Sequence, residues 1–263
     1  RGGELLKSKP VTENAIKKLH KILLSSVRGH NRKPGKLRDQ KAYIGRPGSD
    51  SEGARYIPPL PDRIPELFSD LVRYINEDQE EDTLVQAAII HYQFEAIHPF
   101  LDGNGRVGRL MITLYLVEKG ILKKPILYLS DFFERNRTLY YDNLMRAREK
   151  NDITQWFKFF LVGIIETARS GIDTFDGILK LQKEIEFKIQ ELGSRSNNAM
   201  VIINHLFIRP VIDAQLATKI TKLSPPSVYK LIKELEELNI LKEITGGKRG
   251  KLYVFKDYLD LFK

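Results

Sequence analysis

Residues 98–109 read H-P-F-L-D-G-N-G-R-V-G-R and follow directly on an apolar run, Thr83 to Ile97. That run has the length of a helix and is apolar almost all round, as in a helix at the centre of a bundle. Glycines at 103 and 105, on either side of Asn104, allow unusual backbone angles and close approach of a ligand. Where a helix follows such a turn, its first N–H groups point outward at the positive dipole end and form an anion nest. Arg106 and Arg109 are three apart, so two guanidinium groups reach the same side of that helix start, which suits di- or triphosphate oxygens. Asp102 beside such a nest would repel a phosphate unless a cation bridged them. Mg²⁺ bridges carboxylate and phosphate oxygens in this way. His98, at the end of the preceding helix, can accept a proton at neutral pH. A base near a metal-bound phosphate points to attack by an external hydroxyl on phosphorus.

The rest of the chain is compatible with this. Its 263 residues suffice for one large and one small domain. Without cysteine there is no disulfide and no thiolate zinc site, which fits a reducing cytoplasm. No apolar stretch is long enough to span a membrane, and no signal peptide is visible. The expected location is therefore cytoplasmic. The formal net charge of +9 favours anionic partners. The chain begins at Arg1 rather than Met, so an upstream segment is expected.

Helical periodicity dominates. One helix is expected from Val11 to Val27 with Thr12 as its N-cap, and another opens near Asp62. Residues 33–60, punctuated by Pro and Gly, read as loop with a hairpin around Tyr43-Ile44 and Tyr56-Ile57. Further helices are expected at 106–119, 130–149, 152–169 and 174–192. The polar stretch G-S-R-S-N-N after Leu192 reads as a domain boundary. Beyond it the pattern resembles a winged helix-turn-helix: helices at 200–207 and 213–220, then a third capped by Ser224 and opened by Pro225-Pro226. Two strands follow around a Gly-rich basic turn with Lys248, Arg249 and Lys251.

The 98–109 run matches the HxFx(D/E)GNGRxxR signature of the Fic (Fic/Doc) family at every defined position. H-Y-Q-F-E-A-I before it and S-D-F-F-E-R-N-R-T-L-Y-Y-D after it resemble the family core as well. The resemblance covers roughly residues 10–190. It implies a mainly α fold: a Fic-type helical bundle over 1–193, with its core at about 84–160 and a β-hairpin flap at about 43–57, then a winged helix over 197–263. It also implies a protein adenylyltransferase, which moves AMP from ATP to Ser, Thr or Tyr hydroxyls of target proteins, itself included, and releases pyrophosphate. His98 would be the catalytic base. Asp102 would hold Mg²⁺, or alternatively Mn²⁺. Gly103, Asn104 and Gly105 would cradle phosphate, Arg106 would support it, and Arg109 would hold the terminal phosphates. Val107 and Gly108 complete the ATP-binding run, and Phe100 would anchor the loop in the core. Arg55, Tyr56, Tyr140 and Tyr141 would lie near the nucleotide, while the flap would align a target backbone.

Two alternatives stand beside this reading. One is a Fic enzyme that uses another nucleotide or phosphate-bearing donor. The other is a DNA-binding regulator whose Fic domain senses nucleotide. Residues 197–263 hold eleven Lys/Arg and seven Asp/Glu. Lys230 and Lys233 on the third helix favour DNA, Glu234, Glu236 and Glu237 oppose it, and protein contact or a homodimer fits equally well. Many family members carry an inhibitory helix with the pattern (S/T)xxxE(G/N), whose Glu pairs with the last motif arginine. These residues lack it, since Glu52-Gly53 has Gly48 rather than Ser or Thr four places earlier. An upstream segment or a separate inhibitory partner would account for that, and this chain is expected to modify itself.

Overall fold

A computed structural model describes residues 10–25, 33–45, 52–77, 80–247 and 250–262. They divide into two compact units, Arg1–Ala168 and Arg169–Lys263. Among the described residues no helix is long and apolar enough to cross a membrane.

The first unit is built around α3 (Thr83–Ile97). Asp82 caps it by accepting from the Leu84 N–H at 2.8 Å. Ala87, Ala88, Ile90, Phe94 and Ile97 are all buried, so the nearly unbroken apolar sequence does produce a central helix. Around it pack α1 (Glu13–Ser25), α2 (Ile64–Asn76), α4 (Asn104–Glu118), α5 (Leu129–Arg135) and α6 (Arg137–Glu149). The start of α7 (Ile153–Gln190) adds Trp156 and Phe160, and the indole of Trp156 donates to the Ala88 carbonyl at 2.9 Å. Thr12 caps α1 as expected, its hydroxyl accepting from the Ala15 N–H at 3.1 Å. Strands β1 (Ile44–Gly45) and β2 (Ala54–Tyr56) pair antiparallel, with Ile44 opposite Tyr56. This is the expected hairpin. Residues 46–51 of its connection, together with Lys248, Arg249 and the end of the expected first helix, lie outside the described residues.

Two helix boundaries differ from expectation. The single helix expected at 130–149 is broken at Asn136, whose side-chain amide donates to the Phe132 carbonyl at 3.0 Å and so closes α5. Conversely, the two helices expected at 152–169 and 174–192 are one helix of 38 residues, α7. Gly171 costs it about 1 kcal/mol relative to Ala but does not stop it, and the Thr174 hydroxyl donates to the Ser170 carbonyl one turn back.

In the second unit, α7 contributes Ile185 and Ile189 to a core shared with α8 (Ser196–Leu206), α9 (Ala214–Thr221) and α10 (Pro225–Glu237). The compact units therefore divide within α7, whereas the sequence places the boundary at the polar stretch 193–198. Strands β3 (Val211–Asp213), β4 (Lys242–Glu243) and β5 (Leu252–Val254) form an antiparallel sheet in the order β3-β5-β4. A short helix, α11 (Lys256–Asp260), follows. Asp213 caps α9 by accepting from the Leu216 N–H at 2.6 Å. Ser224 occupies the N-cap position of α10 but makes no side-chain cap bond: its hydroxyl pairs with that of Ser227 at 2.9 Å.

Candidate active site

Helix α3 ends at Ile97, and His98 takes the left-handed conformation (φ 49°, ψ 60°) at its C-cap while its N–H still reaches the Phe94 carbonyl at 3.0 Å. Glycine usually fills this position. The sharp exit ends the helix path at His98 and starts the loop 99–103. Phe100, fully buried, fastens that loop, its ring edge-on to Phe68. Asn104 then closes it: its side-chain carbonyl accepts from the Phe100 N–H at 2.9 Å and its amide donates to the Phe100 carbonyl at 2.8 Å. With both ends so engaged and 1 % of the residue exposed, the Asn104 side chain braces the loop and is not free to cradle phosphate.

Gly103, at φ 81°, starts α4, and the Val107 N–H takes up its carbonyl at 3.0 Å. The N–H groups of Asn104, Gly105 and Arg106 thus have no acceptor within the helix, the arrangement by which a helix start can receive an anion. The Val107 side chain is wholly buried in the core, so the sequence assignment of Val107 to the nucleotide is corrected to packing. Gly108 is likewise a packing residue. A Cβ there would meet Glu95 Oε1 at 2.7 Å and His91 Nδ1 at 3.1 Å, so the lack of a side chain is what lets α4 lie against α3. Gly108→Ala is expected to cost about 1–3 kcal/mol of stability, read as a lower midpoint in urea unfolding. An unchanged midpoint would mean that the two helices have room to spare.

Two adjoining pockets flank this turn and share Gly105, Arg109, Tyr140 and Tyr141. The polar one is rimmed by Asp102, Gly103, Arg106, Glu134 and Arg137. The other lies beside the hairpin, with Ile44, Arg55, Tyr56, Glu95, His98, Leu144, Met145 and Arg148 on its walls. Arg109 donates from Nε to the Ser130 hydroxyl at 3.0 Å. Asp102 Oδ1 accepts from the Gly103 N–H at 2.6 Å, while Oδ2 has Arg106 at 3.7 Å. One hard anionic oxygen at the mouth of an anion nest fits Mg²⁺, which takes one or two carboxylates and completes its shell with phosphate oxygens and water.

Of the outlying candidates, Arg55 forms an ion pair with Asp142 and lies over the Tyr141 ring, 5.4 Å from its centroid. Tyr141 thus offers an aromatic face at the junction of the pockets. The Tyr56 hydroxyl donates to the Ala96 carbonyl at 2.8 Å, and Arg148 covers its ring at 3.6 Å. It pins the hairpin to the end of α3. Tyr140 is buried and its hydroxyl is engaged by His91 Nε2 at 3.0 Å, so only its ring borders the pockets. His91, fully buried, is structural.

Sequence reasoning missed His20, Arg38, Glu95 and Arg148. His20 is wholly buried. Its Nδ1 accepts from the Gly35 N–H at 2.8 Å, which leaves Nε2–H to donate to the Asp102 carbonyl at 2.9 Å. Its ring stacks on Phe100 at 3.9 Å. Arg38, 2 % exposed, donates from Nε to the His98 carbonyl at 2.8 Å and from its terminal nitrogens to the carbonyls of Gln40, Pro59 and Ile97. A cation thus closes the C-terminal end of α3, where carbonyls lack helical partners.

Electrostatics set the protonation states. Burial, then the positive charges of Arg38 and Arg148, lowers His98 to about 4, so its imidazole is neutral at physiological pH. Burial raises Glu95 to about 7 against the opposing pull of Arg109 and Arg148. The folded value lies above the ordinary 4.5, so the folded state loses stability as pH rises towards and through 7. Glu95→Gln, which cannot ionise, is expected to match the wild type at pH 5 and exceed it at pH 8.5 by about 3 kcal/mol. Thermal unfolding at both values reads this directly, and parallel shifts at the two would disprove it. Among single-residue signals, Glu95 was the one that could have been found: it is an ionisable residue on an otherwise apolar helix, three before His98.

Residues 10–116 match the model of the Fic/DOC family. A probable protein adenylyltransferase of Aquifex aeolicus is 31% identical over 144 residues, covering 52% of this chain and 42% of that protein. A protein adenylyltransferase of Caenorhabditis elegans is 33% identical over 88 residues, 33% of this chain and 16% of that one. This chain therefore spans less than half of the length of these curated relatives. Among solved structures, a Fic family protein from Desulfovibrio desulfuricans superposes with a TM-score of 0.56 at 22% identity, covering 97% of this chain and 72% of that one. A Fic domain containing signaling protein from Bacteroides thetaiotaomicron gives 0.52 at 21%, over 65% and 68%. At those identities the two structures speak for the fold.

Proposed function

We propose that the Fic/DOC domain at residues 10–116, with the helices that complete its pockets, is a protein adenylyltransferase that transfers AMP from ATP to hydroxyl side chains of proteins, this chain included. The observation that carries this reading is the convergence of His98, Asp102, the open N–H groups of α4 and Arg109 on two connected pockets. Neutral His98 takes the proton of a target hydroxyl. The freed oxygen attacks the α-phosphorus, the bond from that phosphorus to the β-phosphate bridging oxygen breaks, and pyrophosphate departs. Arg106 and Arg109 with the α4 N–H groups hold the phosphates in line, and charge-assisted bonds of this kind are the stronger class. Asp102 would hold Mg²⁺, which would supply neutralisation of phosphate charge. The Tyr141 face and the Ile44, Leu144 and Met145 side chains enclose the nucleoside, and the β1–β2 hairpin presents a strand edge to the target backbone. A carboxylate from a segment or partner outside this chain that paired with Arg109 would displace the terminal phosphate and silence the site.

For the C-terminal unit, the succession α8, β3, α9, α10, β4, β5 supports a winged helix, with the β4–β5 hairpin as the wing. The test of the enzymatic reading uses ATP labelled either at the α- or at the γ-phosphate, with Mg²⁺ and a cell lysate. Label from the α position, and none from the γ position, is expected on protein. γ-Label on protein would mean phosphoryl transfer instead. Transfer from α-labelled UTP or GTP with none from ATP would keep the base and change the donor.

A further inference from the structure

On α10 the buried residues Val228, Leu231, Ile232 and Leu235 mark the inner side. At 3.6 residues per turn the opposite side carries Pro226, Lys230, Lys233 and Glu237, flanked by Ser227 and Tyr229, all exposed. The residues 225–233 contain two lysines and no acid. The three glutamates that speak against nucleic acid in the sequence all fall in the last turn. Glu234 is turned inward to Arg195 at 2.7 Å and Glu237 lies 3.6 Å from Lys233.

A groove beside Tyr229 links this face to the start of α9 at Gln215 and to Lys251 and Tyr253 on the β5 side. Three acids lie near that groove: Asp213 and Glu243 are engaged internally, whereas Glu236 adds a negative charge beside Tyr253. Asp213 caps α9, and Glu243 accepts from the Thr245 and Gly246 N–H groups at 2.8 and 2.7 Å with Lys251 at 3.8 Å. Among the described residues the outward side thus sets Lys230, Lys233 and Lys251 against Glu236 and Glu237, with Gln215, Ser227 and the exposed Tyr229 between them. A protein partner would call for a cluster of apolar anchors. The DNA major groove, about 12 Å wide, admits a helix, whereas that of duplex RNA is too deep and narrow.

We propose that this face binds double-stranded DNA, with the first two turns of α10 in the major groove and Lys251 meeting a backbone phosphate at the side. Lys230 and Lys233 neutralise phosphates or reach guanine edges, and Ser227 and Tyr229 supply neutral hydrogen-bonding groups. The inference is independent of the reaction proposed for the first unit, so His98→Ala leaves it unaffected.

The test is fluorescence anisotropy of the full chain with a labelled mixed-sequence duplex DNA over a salt series. The wild type is expected to bind with affinity falling steeply in salt. Lys230→Ala with Lys233→Ala is expected to flatten the log–log slope by roughly 2, about 0.9 for each phosphate that is no longer neutralised. Lys183→Ala, on α7, is expected to keep the wild-type slope. No binding at low salt, an unaltered slope in the double variant, or equal affinity for duplex RNA would overturn the proposal. So would a Tyr229-dependent dimer in sedimentation that DNA fails to dissociate.

Discussion

His98→Ala is expected to lower the turnover number for AMP transfer by about 10²–10⁴-fold while ATP affinity stays nearly unchanged. The residue sits at the end of α3 in a left-handed conformation and does not line the pocket at the start of α4, so its removal would take away the proposed base and leave the proposed phosphate site intact. Its protonation gives a second, independent readout. Burial with Arg38 and Arg148 nearby holds the imidazole at about 4, so the basic form persists through neutral and mildly acidic pH and is lost only as pH falls through that value. The acid limb of kcat/KM that belongs to His98 therefore lies near 4, well below the ordinary histidine value of about 6.5. The Ala variant is expected to lack that limb. A wild-type limb at 6.5 would mean that the free enzyme keeps His98 solvated, contrary to the packing around it.

Arg38→Met is expected to be the most damaging change outside the motif. The side chain would keep its bulk but leave the carbonyls of Gln40, Pro59, Ile97 and His98 without their donor. Hydrogen bonds to a charged group contribute about 1.5–3 kcal/mol each, and an orphaned buried acceptor adds its desolvation cost, so a loss of about 3 kcal/mol or more is expected. Activity should fall beyond the fraction unfolded, because Arg38 fixes the His98 backbone, and displacement by about 1 Å can cost about 10²-fold in rate. Arg38→Lys restores the charge but not the fork that spans several carbonyls, and should recover only part of either loss. Urea unfolding and kcat on the same samples separate the two effects. Full activity in a folded Arg38→Met protein would show that the loop holds His98 without this clamp.

What the sequence made legible follows from how local each constraint is. The 98–109 run lies within one turn and one helix start, so the closeness of His98, Asp102, the first N–H groups of α4, Arg106 and Arg109 was legible from their spacing. The same holds for the cap of α1, where Thr12 acts within three residues of itself. Residues whose role is fixed from afar were not legible. His20 meets Asp102 across 82 positions and Arg38 meets His98 across 60, and neither belongs to a periodic pattern that points at its partner. Within the motif, spacing could not tell a side chain that faces a ligand from one that faces the core. Asn104 and Val107 face inward. Continuity of α7 was hidden for another reason: Gly171 and Thr174 resemble a break, but a helix with enough packing elsewhere tolerates both.

The most direct test of the account counts products. Purified chain is incubated with α-labelled ATP and Mg²⁺, beside His98→Ala, and protein-bound AMP is measured against released pyrophosphate. The account predicts one pyrophosphate for each AMP bound, on hydroxyl side chains, in the wild type and neither product in the variant. Equal labelling of the two proteins, or orthophosphate released in place of pyrophosphate, would contradict it.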